Sequence, residues 1–85
     1  MKIRRIIIEE SAQEKILGHG LEIVEVENGM LFGNPKFLKD RYGRYLAITH
    51  HNRYITVVFE YINLDAYVIT AYKSSDWQIT LYKRK

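Results

Sequence analysis

The sequence contains no cysteine, one proline, one tryptophan and five glycines in 85 residues. Without cysteine there is no disulfide framework and no thiolate zinc site, and a small chain lacking both is expected in a reducing cytoplasm. No apolar stretch approaches the ~20 residues that a membrane span needs. The run Ile6-Ile7-Ile8 is stopped at once by Glu9 and Glu10, which is too short for a signal peptide. There are no repeats, no low-complexity tracts and no linker, and the chain is too short for a second core, so residues 1–85 are expected to form a single domain. No glycine-rich phosphate loop occurs. Ser11, Ser74 and Ser75 all stand where helix caps are expected, leaving no Ser-His-Asp signature. His19, His50 and His51 are the only imidazoles; adjacent strand residues point to opposite faces, so His50 and His51 are poor co-ligands. Neither a metal nor a cofactor is expected.

Positive charge is present and unevenly placed. Thirteen Lys and Arg against ten Asp and Glu give a net charge of +3. Residues 1–35 carry four basic and six acidic side chains, residues 36–85 nine and four, so the two parts stand at −2 and +5. Such asymmetry suits an anionic partner. The basic part also holds all seven tyrosines. Lys36, Lys39, Arg41, Tyr42, Arg44, Tyr45, Arg53, Tyr54, Tyr72, Lys73, Tyr82, Lys83 and Arg84 combine cations that neutralise phosphate with rings that stack on unpaired bases. The competing interpretation is plain: tyrosines packing a sheet, with a solvated Lys-Arg-Lys tail. Glu22, Glu25 and Glu27 read as the solvated face of a helix. Metal-free RNA cleavage needs a base for the 2′-hydroxyl proton, cations for the phosphate and an acid for the leaving oxygen. Arginine forks match the phosphate, and tyrosine, lysine or histidine can move protons.

The pattern predicts an α+β fold. Lys2 to Ile8 is short, apolar and β-branched, as a strand would be. Ser11 followed by Glu14 is a capping-box pattern for a helix ending near Gly18. Residues 21–35 fit two descriptions. Val24 to Glu27 alternates into Asn28-Gly29, a hairpin signal, whereas Ile23, Val26 and Met30 lie at helical spacing. Arg44–His50, Arg53–Tyr61 and Ala66–Lys73 are β-rich, with turns at His51-Asn52 and Asn63-Leu64-Asp65, which predicts an antiparallel meander. In the middle strand Ile55, Val57 and Phe59 should meet the helices, while Tyr54, Thr56, Val58 and Glu60 form an open face. Ser75 with Gln78 is a second capping box, predicting a helix over 76–83 with Trp77 and Leu81 packed inward. Trp77, Ile79 and Leu81 also alternate, as in a strand.

Certain segments in their order resemble a known family: His19-Gly20-Leu21, Glu25-Val26-Glu27, Phe32-Gly33-Asn34-Pro35 and Gly43-Arg44-Tyr45. Arg53-Tyr54, Val57-Val58-Phe59-Glu60, Val68-Ile69-Thr70-Ala71 and Tyr82-Lys83-Arg84 continue the series. Together they resemble the BrnT family of type II toxins, relatives of the RelE-like ribonucleases, over about residues 6–84. The resemblance implies a RelE-like layout: an N-terminal strand, two helices, a three-stranded antiparallel meander and a short C-terminal helix. It resolves residues 22–31 as a helix. It also implies a metal-independent endoribonuclease acting on mRNA, neutralised by a cognate antitoxin that covers the basic surface. Dimers or toxin–antitoxin hetero-oligomers are the assemblies to expect. Carried onto this chain, the catalytic candidates are Arg44, Arg53, Tyr82 and His19, and the RNA-binding candidates Tyr72, Lys73, Lys83 and Arg84. Tyr72 stands where the family usually has arginine, Gly18 replaces a lysine before His19, and the closing helix reads Gln78-Ile79-Thr80. The alternative function is a non-catalytic relative that binds RNA or protein.

Overall fold

In the computed structural model, which describes residues 1–84, the elements run in the order β1 (Arg5–Ile7), α1 (Glu10–Gly18), α2 (Ile23–Phe32), β2 (Lys36–Lys39), β3 (Tyr45–His50), β4 (Tyr54–Ile62), β5 (Asp65–Lys73) and α3 (Asp76–Lys83). The fold is α+β: three helices and one five-stranded mixed sheet of order β1-β5-β4-β3-β2. β1 runs parallel to β5 and every other neighbouring pair is antiparallel. No helix among the described residues is long and apolar enough to cross a membrane.

The meander follows from period-two patterning. Ile55, Val57 and Phe59 are 1%, 0% and 0% exposed and meet Val26 and Met30 of α2 and Ile16 of α1 in one core. Phe59 stacks on Tyr45 at 5.7 Å and takes Phe37 edge-on at 6.0 Å. β4 and β5 turn tightly through Asn63 and Leu64, both at positive φ (50° and 71°). A register shift beside Val58/Phe59 leaves Ile69 without a cross-strand partner, a bulge in β5. β1 is held by Asp65, which is 4% exposed and takes hydrogen bonds from both Arg4 and Arg5. The Tyr61 hydroxyl donates to the Lys2 carbonyl and brings the N-terminal segment under the sheet.

α2 is a helix, so Asn28-Gly29 is not a hairpin turn. Two features decide it. Glu22 and Glu25 form a reciprocal capping box at its start. Gly29 and Gly33 bring the helix close enough to β3 for the Thr49 hydroxyl to donate to the Gly29 carbonyl at 2.6 Å. Several expectations are corrected. α1 begins at Glu10 with Glu9 as its cap and no side-chain cap bond, so Ser11 lies inside the first turn; there Gln13 donates to the Ile8 carbonyl. β2 lies where no element was predicted. Four residues are too few for a periodic signal, and this strand exists because β3 pairs with it. Trp77 is 58% exposed, and Gln78 is the residue that α3 buries. Thr56 is 0% exposed rather than on an open face, because α3 covers it.

Candidate nucleic-acid interface

Helix α3 organises the second face of the sheet. In its capping box the Ser75 N–H donates to the Gln78 side-chain carbonyl at 2.9 Å. The same oxygen accepts from the Thr56 hydroxyl at 2.9 Å, and the Gln78 amide donates to the Tyr72 hydroxyl at 3.1 Å. Thr56 and Ser74 share a further hydrogen bond at 2.8 Å. This network sets the rotation of the helix. One turn on, Tyr82 meets Tyr54 edge-on at 5.8 Å and donates its hydroxyl proton to the Gly33 carbonyl at 2.6 Å. Lys36 donates to the carbonyls of Leu81 and Arg84 at 3.1 and 3.4 Å. A cation on the unpaired carbonyls of a helix C-terminus offsets its dipole.

Beside α3, toward β3, a cluster of rings and cations results. His50 and Tyr54 are cross-strand partners at the end of β3 and β4, with ring centres 4.2 Å apart. The Lys83 ammonium lies 5.7 Å from the Tyr54 ring centre. Next to it, Asn34, Pro35, Lys36, Tyr82, Lys83 and Arg84 line an open cleft of about 520 Å³. A ring pair joined through Lys83 to a neighbouring cleft that bears Lys36 and Arg84 forms a surface suited to a base and its phosphate. Among the described residues, no three His, Asp or Glu side chains gather as a metal site.

The expected site residues divide. Tyr82, Lys83 and Arg84 are together at the end of α3. Tyr72 lies on the β5 side of that helix, bonded to Gln78, with His19 edge-on to its ring at 6.3 Å. Lys73 ends β5 and is exposed. Arg44 and Arg53 do not meet on one phosphate. Arg44 is exposed in the β2–β3 turn, and Arg53 precedes β4 at the opposite end of β3. A six-residue strand separates them by roughly 20 Å at ~3.4 Å per residue. Arg53 is also occupied: its Nε and Nη2 reach Glu25 at 2.5 and 3.0 Å, and Nη2 donates to the Gly20 carbonyl at 2.8 Å. The Arg53 hydrogen bond holds the Glu25 carboxyl below its ordinary range, against burial, which acts the other way. Arg53 thus ties the α1–α2 junction to the β3–β4 turn. In the sequence, His50 stands out only as a candidate metal ligand. Its pairing with Tyr54 does not follow from the expected turn: two turn residues at His51-Asn52 would set His50 opposite Arg53, whereas three residues, 51–53, separate the paired His50 and Tyr54. No family model, no curated protein and no solved structure matches the chain.

Proposed function

We propose that this chain is the toxin of a type II toxin–antitoxin pair, a BrnT-like domain that acts on single-stranded RNA in the cytoplasm and is neutralised by a cognate antitoxin. The observation that carries the RNA reading is the His50–Tyr54–Lys83 cluster beside a cleft bearing Lys36 and Arg84. The sequence resemblance supplies the toxin class. An unpaired base stacks on Tyr54, and Lys83 and Arg84 hold the phosphate that follows. His50 takes the 2′-hydroxyl proton. The 2′-oxygen attacks phosphorus, the bond to the 5′-oxygen breaks, and that oxygen is protonated from water. The products are a 2′,3′-cyclic phosphate and a 5′-hydroxyl. Tyr82, with its proton donated to Gly33, is a positioning residue that fixes the end of α3. Arg53 is structural, through Glu25.

The test is purified protein with total RNA in the presence of chelator. Cleavage is expected to leave cyclic or 3′-phosphate ends, and His50→Ala to slow it by roughly 10²–10⁴, the usual worth of a proton-transfer group. Lys83→Ala with Arg84→Ala should weaken binding and flatten its salt dependence by ~0.7 for each phosphate no longer neutralised. A second reading, binding without cleavage, is favoured by the capture of Arg53, which removes a cation from the site. Intact RNA, with salt-dependent binding that the Lys83 and Arg84 changes weaken, would select it. Binding indifferent to both changes would refute the site.

A further inference from the structure

β2 is the outer strand of the sheet, and its far side carries no partner among the described residues. The Asp40 N–H donates to the Arg44 carbonyl at 2.8 Å. Antiparallel bonding alternates, so Leu38 and Lys36 exchange hydrogen bonds with β3, and Phe37 and Lys39 aim their backbone groups outward. Two clefts of different chemistry meet at this edge. On the helix face, Ile3, Met30, Leu31 and Phe37 contribute apolar side chains to a groove of about 390 Å³ whose surface is mixed polar and apolar. On the α3 face, Lys36, Lys83 and Arg84 line the cleft of about 520 Å³ already described. Asn34 and Pro35 belong to both.

We propose that the β2 edge accepts an extended acidic segment of a partner protein as an added strand. Side chains alternate along a strand. The segment therefore sends carboxylates toward Lys36, Lys83 and Arg84, and apolar side chains toward Ile3, Leu31 and Phe37. Backbone pairing supplies the affinity and the two clefts the selectivity. Charge selects this occupant over others. Lysines at both ends of β2, with Arg41 following, concentrate like charge along the shared edge if a second copy pairs there, which disfavours that pairing. The same lysines attract an acidic strand. RNA satisfies the cationic cleft, but offers neither a backbone ladder nor apolar side chains to meet Ile3, Leu31 and Phe37.

The experiment uses the isotope-labelled full chain and a capped peptide of about eight residues alternating Glu and Val, the length of one strand. Amide shifts are expected to be largest at Phe37 and Lys39 and to extend to Leu31 and Lys36. A peptide N-methylated on alternate amides should lose binding. Lys83→Glu with Arg84→Glu should weaken binding by about tenfold or more, and a Lys-Val peptide should not bind. Equal binding of the N-methylated peptide, shifts mapping elsewhere, or no shifts at millimolar peptide would each overturn the proposal. So would a concentration-dependent dimer through β2, or edge shifts produced by an oligouridylate and not by the peptide. Loss of RNA cleavage on His50→Ala bears on the function proposed above and leaves this edge untouched.

Discussion

Substituting Gly33 by alanine tests how α2 is seated on the sheet. Gly33 caps α2 at φ −86°, a conformation open to any residue, so alanine meets no backbone strain there. The cost is steric. A Cβ at this position would lie 2.1 Å from the Thr49 hydroxyl oxygen and 2.6 Å from the Gly29 carbonyl oxygen. Either the helix end retreats from β3 or Thr49 abandons its 2.6 Å hydrogen bond to Gly29. Overpacking of a close-packed site costs ~1–3 kcal/mol. Stranding a buried hydroxyl costs ~1–3 kcal/mol more. The expected loss is therefore about 2–6 kcal/mol, a large share of the roughly 4–13 kcal/mol available to a chain of 85 residues. Gly29→Ala is the control. Its Cβ would meet only the methyl of Thr49 at 2.9 Å and the end of Ile55 at 3.2 Å, and the ~1 kcal/mol gained in helix propensity offsets that crowding. Urea melting measures both. In a double-mutant cycle, Thr49→Ala should partly rescue Gly33→Ala, leaving the double variant at least ~1 kcal/mol better than the sum of the singles. Rescue stays partial because the Gly29 carbonyl contact persists. A loss below about 1 kcal/mol for Gly33→Ala, or strict additivity in the cycle, would refute this account of the seating.

Phe59→Ala should cost ~3–5 kcal/mol in urea melts, since the ring is 0% exposed and packed between Tyr45 and Phe37; a loss under ~1 kcal/mol would contradict its place in the core. Acid should weaken the fold through Asp65, whose hydrogen bonds from Arg5 and Arg4 hold its carboxyl down to about 2 from an ordinary 3.8. The folded state binds fewer protons at that carboxyl than the unfolded state, so its stabilisation is complete above pH 3.8 and is lost as pH falls toward 2. The urea midpoint should drop across that window, and drop less in Asp65→Asn. Glu25, also lowered, adds a loss of the same sign below its ordinary 4.5, absent in Glu25→Gln.

What the sequence revealed and what it hid divide along a physical line. β4 was legible because a long run of β-branched and aromatic residues places Ile55, Val57 and Phe59 on one face by period-two alternation. Helix α3 was legible because Ser75 and Gln78 are the two halves of a local capping box. β2 was hidden because Lys36 to Lys39 owes its conformation to β3, a partner that local pattern does not record. Trp77 was misplaced for a related reason. Hydrophobicity predicts that the indole turns inward, but the helix takes its rotation from Gln78, which satisfies Thr56 and Tyr72 from a 2% exposed position. A polar network outranked an apolar side chain, because buried hydrogen-bonding groups left unpaired cost more than an exposed ring. The role of Arg53 was hidden likewise. Its charge was visible, but its distance in sequence from Glu25 was no guide to their contact.

The same network bears on how the candidate site is built. An eight-residue helix has little stability of its own in water, so α3 persists through its contacts with the sheet. Its anchors are largely polar: Gln78 to Thr56 and Tyr72, Tyr82 to the Gly33 carbonyl, and Lys36 to the last carbonyls. Each contributes only ~0.5–1.5 kcal/mol net, whereas the apolar core under α1 and α2 carries the fold. His50 and Tyr54 therefore belong to the rigid sheet, and Lys83 and Arg84 to an element held by a few hydrogen bonds. The rings that receive a base are fixed by packing, and the cations that receive its phosphate are fixed by polar contacts. A change at Gln78 acts on the phosphate half of the site and spares the base half, whereas a change at Phe59 removes both by unfolding the sheet beneath them.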